Sequence, residues 1–126
     1  MNEKINDRPY IIRGCAPLDF TFDIFHEIQE KNHANWKIFT EKLLEKSKEG
    51  KLRPMESLDD ETLYDLHSAF LPLYASLAQV YNISKRKVGY IFQKRGISNI
   101  GAYGYNVMRY GVREIDVDKF VEYLAE

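Results

Sequence analysis

The chain has 126 residues, 44% of them hydrophobic and 13% aromatic, with a single cysteine and a formal net charge of −1. That is material for one compact domain with a real core, or for a small domain with a helical extension, and too little for two full domains. No run approaches the roughly 18 apolar residues of a membrane helix, and the polar start MNEKINDRPY lacks the apolar region of a signal peptide, so the expectation is a cytoplasmic protein without membrane association.

The lone Cys15 excludes an intramolecular disulfide and a cysteine-cluster zinc motif, which leaves it as a small packed residue. Pro9, Gly14 and Pro17 punctuate the first twenty residues, and YIIR between them reads either as a short strand or as a loosely docked arm. From Thr21 the spacing turns helical: Phe22, Phe25 and Ile28, then Trp36, Phe39 and Leu43, with Asn32 to Asn35 between the groups. This predicts one long helix broken there or two consecutive helices, closing on Gly50, with the aromatic stripe in the core or in a dimer seam. Ser57, followed by Asp59, Asp60 and Glu61, predicts a helix start capped by the Ser57 hydroxyl, because carboxylates favour the positive end of the helix dipole. Leu58, Leu63, Leu66 and Phe70 give that helix an apolar face, and Pro72 ends it.

The stretch SLAQVYNISKRKVGYIFQKRG, from Ser76 to Gly96, places two apolar-faced segments around Asn82, Ile83 and Ser84. A sharp turn between packed helices needs a small residue on the first helix, a residue that tolerates a left-handed backbone, an apolar plug and a cap. Ala78, Asn82, Ile83 and Ser84 meet those needs in order, and Val88, Ile91 and Phe92 supply a face to pack on Leu77, Val80 and Tyr81. After Gly96, ISNIGAYGYNVMRYGVREI mixes glycines with β-favouring residues and predicts a hairpin. The closing DVDKFVEYLAE predicts a short helix capped by Asp116 or Asp118, with Val117, Phe120, Val121 and Leu124 on one face.

The small net charge hides an asymmetry. Residues 1–70 hold ten Lys or Arg against fourteen Asp or Glu, whereas residues 71–126 hold eight against five. No acid lies between Asp65 and Glu114, an interval that contains Lys85, Arg86, Lys87, Lys94, Arg95, Arg109 and Arg113. Such concentration favours a polyanionic partner; the alternative is an ordinary solvated basic face.

With Ala78, Asn82, Ile83, Ser84, Val88 and Ile91 all apt at their spacings, the segment from residue 58 to 97 resembles the helix-turn-helix family of DNA-binding proteins. SLDDETLYDL followed by LAQVYNISKRKVGYIFQKRGI is similar to the small modules of bacterial regulators and mobile-element proteins. It departs in carrying Asn82 where glycine is commoner and Gly89 inside the second helix. That glycine costs about 1 kcal/mol relative to alanine unless it lets the backbone approach DNA. The resemblance implies a trihelical core with residues 84–95 as recognition helix, and Ser84, Lys85, Arg86, Tyr90 and Gln93 facing a groove. Arg86 suits a guanine edge and Gln93 an adenine edge. Lys85, Lys87, Lys94 and Arg95 suit phosphates, and Tyr90 a thymine methyl or a phosphate. The tail is similar to an excisionase-type or winged arrangement, which would make Arg109 and Arg113 the cations of a wing with Tyr103, Tyr105 or Tyr110 beside them; a dimer-forming hairpin is the alternative.

The expected fold is therefore mainly α: a helical extension over residues 1–52, used for dimerisation or partner contact, and a helix-turn-helix domain over 53–126 with a small C-terminal wing and terminal helix. The expected function is sequence-specific binding of double-stranded DNA by a homodimeric transcriptional regulator of bacterial, phage or plasmid origin. A second reading, from a different class, keeps the scaffold and binds a host or phage protein through residues 20–50, with Trp36 and Phe39 as anchors. Enzymatic chemistry is not expected: His26, Glu30 and His33 share a helix face without further ligands, His67 stands alone, and there is no Gly-rich phosphate loop, nucleophile elbow or metal motif, hence no cofactor.

Overall fold

The computed structural model describes residues 8–15, 21–70, 73–97 and 102–125, the side chains of 102–105 excepted. The fold is mainly α-helical, with seven α-helices and one two-stranded antiparallel sheet among the described residues.

The aromatic stripe after Thr21 forms two helices, α1 (Phe22–Ala34) and α2 (Trp36–Lys48), separated by one residue. The Thr21 hydroxyl caps α1 by accepting from the Ile24 amide at 3.2 Å. Asn35 makes the break: its backbone leaves the helical region at φ −99° and ψ 2° while its side-chain amide donates to the Lys31 carbonyl. Helix α3 (Asp60–Phe70) follows a 3₁₀ turn at Met55–Ser57. Its cap is Asp59, whose carboxylate accepts from the Thr62 amide at 2.8 Å, and not Ser57, whose hydroxyl is diverted to the Pro54 carbonyl. Pro72 lies outside the described residues.

These helices converge on a stack of rings. Phe39 of α2 lies 4.1 Å from Phe70 of α3, and both stack on Phe120 of α7 (Val117–Leu124), against which Tyr10 packs at 4.3 Å. Side chains from both sides of position 52 thus share one apolar cluster, joined by Leu43, Leu63, Leu66, Leu77, Val88, Phe92 and Leu124. Asp116 caps α7 as expected, accepting from the Lys119 amide at 3.0 Å.

The YIIR segment does form a strand, β1 (Ile11–Cys15), and Cys15 at its end is buried. Its partner is β2 (Val112–Ile115), nearly a hundred residues downstream, in a register that pairs Ile11 with Ile115 and Cys15 with Val112. The outer edge of β2 is closed by buried Asn32 of α1, whose amide donates to the Arg113 carbonyl at 2.8 Å and accepts from the Ile115 amide at 3.0 Å. One asparagine therefore does locally what a third strand would do.

The expected C-terminal wing is not what β2 belongs to. Residues Ala102–Tyr110 form helix α6, and Gly111, at φ 78°, ends it and turns the chain into β2. Tertiary contacts override the glycine-rich composition: buried Asn106 donates to the Gly96 carbonyl at 3.1 Å, and the Tyr64 hydroxyl donates to the Gly111 carbonyl at 2.6 Å.

Candidate nucleic-acid interface

Helix α4 (Tyr74–Tyr81) and helix α5 (Lys85–Lys94) are joined by Asn82, Ile83 and Ser84. Asn82 sits in the left-handed region at φ 56° and ψ 46°, a conformation that asparagine accepts more readily than most residues. The amides of Asn82 and Ile83 both donate to the Ala78 carbonyl, so the end of α4 is closed without glycine. Ile83 packs half-buried against the core, and the Ser84 hydroxyl caps α5 by accepting from the Lys87 amide at 3.0 Å. Val88, Ile91 and Phe92 are buried with Leu77 and Val80, and the Phe92 ring contacts those of Tyr74 and His67.

With that face inward, a 100° advance per residue sets Arg86, Tyr90 and Gln93 opposite the core, flanked by Lys85 on one side and by Lys87 and Lys94 on the other. All six are exposed, Tyr90 at 58%, and the Lys94 ammonium lies 5.8 Å from the Tyr90 ring centroid. Ser84 is exposed at the start of the same helix. The surface is a cationic ridge with one aromatic ring and one amide at its crest, capable of meeting phosphate oxygens and of presenting hydrogen-bond donors to a polar edge.

No family model, curated protein or solved structure matches the chain.

Gly89 does not lie on the crest. It faces α4, where a Cβ would meet the Tyr74 ring at 3.4 Å, an ordinary contact, so packing leaves room for alanine and does not require the glycine. Gly89→Ala is expected to raise folding stability by up to about 1 kcal/mol, the helix-propensity gain, measured by urea denaturation.

The seven cations of the basic interval divide sharply. Lys87 pairs with Glu56 at 2.7 Å, Arg95 with Asp60, and Arg113 with Asp65 at 2.8 Å and with Glu61. Lys85, Arg86, Lys94 and Arg109 form no salt bridge among the described residues, although Lys94 lies near enough to Glu56 to act on its charge; Arg109 is exposed on α6, its guanidinium 5.1 Å from the Tyr110 ring. The acid-rich segment 56–65 thus neutralises part of the basic one internally. Arg95, half-buried and also bonded to the Leu58 carbonyl at 2.8 Å, ties α5 to the start of α3 rather than pointing to solvent.

Arg113 is a correction in kind. Its side chain is 2% exposed, on β2 and not on a wing, at the centre of a buried polar cluster. The Tyr10 hydroxyl donates to the fully buried Asp65 carboxylate, and Arg8 links Glu61, Asp59, the Thr62 hydroxyl and Tyr123 at its rim. Burial pushes Asp65 up to about 7, against the pull of Arg113 and of the Tyr10 hydrogen bond. Arg8 was invisible as a functional residue in the sequence, because its four partners lie more than fifty positions away.

Of the anchors expected in residues 20–50, Phe39 is buried in the ring stack and Trp36 packs half-buried against it, so Phe39 is closed to a partner and the exposed apolar side chains there are Phe22 and Ile38. His26 lies against the Phe22 and Phe25 rings, and His33 approaches the Ser68 carbonyl at 3.4 Å. Burial lowers the pKa of His67. No group of three metal-ligating side chains occurs among the described residues, and no helix among them is long and apolar enough to cross a membrane. Tyr103 and Tyr105 belong to the stretch whose side chains are not described.

Proposed function

We propose that the chain is a sequence-specific binder of double-stranded DNA that uses α5 as its reading helix, most simply as a homodimeric regulator. The observation that carries this reading is the crest of α5: Arg86, Tyr90 and Gln93 are exposed together, Arg86 without an acid partner among the described residues, on a helix braced by α4 through a left-handed Asn82 turn. A reading helix has to be held rigidly by its neighbour while its opposite face stays open, and those two demands are met here by different residues. Arg86 and Gln93 suit base edges; Lys85, Lys94 and Lys87 suit phosphates. Arg109, exposed on α6, suits a backbone contact, whereas Arg113 and Arg95 act within the fold.

The test is selection of genomic fragments by the purified protein, followed by sequencing and by anisotropy titration at increasing salt. The expected outcome is a shared motif among retained fragments. Four phosphate contacts per protomer, from Lys85, Lys87, Lys94 and Arg109, give a slope of log K against log salt of about −3 to −4 for each protomer engaged. Retention without a common sequence, or affinity indifferent to salt, removes the reading.

A further inference from the structure

One flank of α5 faces the 3₁₀ turn at Met55–Ser57 and the first residue of α3, and the acids there match the helix in register. Lys87 on α5 and Arg95 at its C-terminal cap, two turns or about 12 Å apart, meet Glu56 and Asp60 respectively. The turn is held in place from below: Met55 and Leu58 are buried in the core on either side of Glu56. Between turn and helix runs a groove lined by Glu56, Lys87, Tyr90, Ile91, Lys94 and Arg95.

The two ion pairs differ in how firmly they are made. Asp60–Arg95 is reinforced by the bond from Arg95 to the Leu58 carbonyl. Glu56–Lys87 is open to solvent, its side chains 60% and 48% exposed, so it is weak and exchangeable. Lys87, and Lys94 after it, hold the Glu56 carboxyl below its ordinary range, which keeps it charged at neutral pH.

We propose that this groove is a phosphate subsite formed by Lys87, Lys94 and the Tyr90 hydroxyl, and that Glu56 is the resident anion which a phosphate must displace. The proposal rests on the DNA-binding reading and adds a built-in competitor to it. Every duplex offers phosphates, so the competitor weakens binding to all sequences. Contacts from Arg86 and Gln93 at the crest are outside its reach, and DNA lacking the preferred bases is held less well by phosphates alone.

The test compares wild type, Glu56→Gln, Lys87→Ala and the double variant against two probes: a short random-sequence duplex by anisotropy, and inorganic tripolyphosphate by calorimetry. Glu56→Gln is expected to bind both probes about twofold to fivefold more tightly at low salt, the worth of an exposed ion pair, and to gain clearly less in the Lys87→Ala background, where only Lys94 still faces Glu56. An equal gain in that background makes the effect one of general charge and overturns the subsite, as does the absence of any gain with tripolyphosphate. A gain with tripolyphosphate but no duplex binding by any variant keeps the subsite and removes the DNA reading. Tight duplex binding indifferent to Glu56→Gln does the reverse.

Discussion

Arg113→Met is expected to cost about 3–5 kcal/mol of folding stability, the penalty for stranding a buried charge, and to cost more at pH 8 than at pH 5. The guanidinium is the cation that faces Asp65, which lies wholly inside the protein with the Tyr10 hydroxyl as its other hydrogen-bond partner. Methionine fills a similar volume but leaves the carboxylate without its counter-charge. Glu61 keeps Arg8 and is less affected.

The pH dependence follows from the direction of the Asp65 shift. Its folded pKa, about 7, lies above the ordinary 3.8. The folded state therefore binds more protons, and the stability this group contributes is full below about pH 4 and is lost as the pH rises through about 7. Removing Arg113 raises the folded pKa further; at pH 5 Asp65 is neutral with or without Arg113 and the deficit shrinks, whereas at pH 8 only the wild type ionises it beside a counter-charge. Urea denaturation at both pH values measures it, and adding Asp65→Asn to Arg113→Met is expected to recover part of the loss at pH 8. A deficit independent of pH, or below about 1 kcal/mol, would mean that the cluster is solvated and carries little.

That cluster also shows where sequence reading stops. A count of charges finds a basic interval and an acidic one but not that they face each other, so it points Arg113 and Arg95 outward when their partners are Asp65 and Asp60. Pairing across fifty residues is set by how α3 docks, which no local pattern records. The same holds for β1 and β2: YIIR reads as a strand or an arm and the segment ending in VREI as a hairpin of its own, and neither reading pairs the two, whose register depends on α1 presenting Asn32 to the Arg113 and Ile115 backbone. Helix α6 was hidden for a related reason: its glycines argue against a helix, and tertiary contacts of Asn106 and Tyr64 decide otherwise.

What was legible is chemistry confined to a few neighbours. Asn82 and Ser84 announce a left-handed turn and a cap within three residues, Asp116 caps the residues directly after it, and the break between α1 and α2 falls at an asparagine. The crest of α5 was legible too, since once Val88, Ile91 and Phe92 are inward the helix period leaves Arg86, Tyr90 and Gln93 outward. Even the helix cap at Asp59 fits this rule. Ser57 and Asp59 are both chemically able to cap, and the choice between them turns on a hydrogen bond to Pro54 that belongs to the 3₁₀ turn.

Arg86→Ala and Gln93→Ala are each expected to weaken binding of a selected duplex by about 1–3 kcal/mol, roughly fivefold to more than a hundredfold, while leaving random-sequence duplex affinity changed far less by Gln93→Ala than by Lys85→Ala. The asymmetry separates reading from holding. A neutral amide contributes nothing to counterion release, so its loss shows only where a base edge matched it, whereas an ammonium on the flank acts on every sequence and its removal makes the salt slope shallower by about 0.9. Arg86 does both and is expected to lose affinity in both assays, more on the selected duplex. Because all three side chains are exposed, the variants are expected to unfold within about 0.5 kcal/mol of wild type, so a binding loss reports the contact and not the fold. Equal losses on both duplexes for Gln93→Ala would reduce α5 to a charged surface, and unchanged affinity in all three variants would place the duplex contact elsewhere on the protein or nowhere.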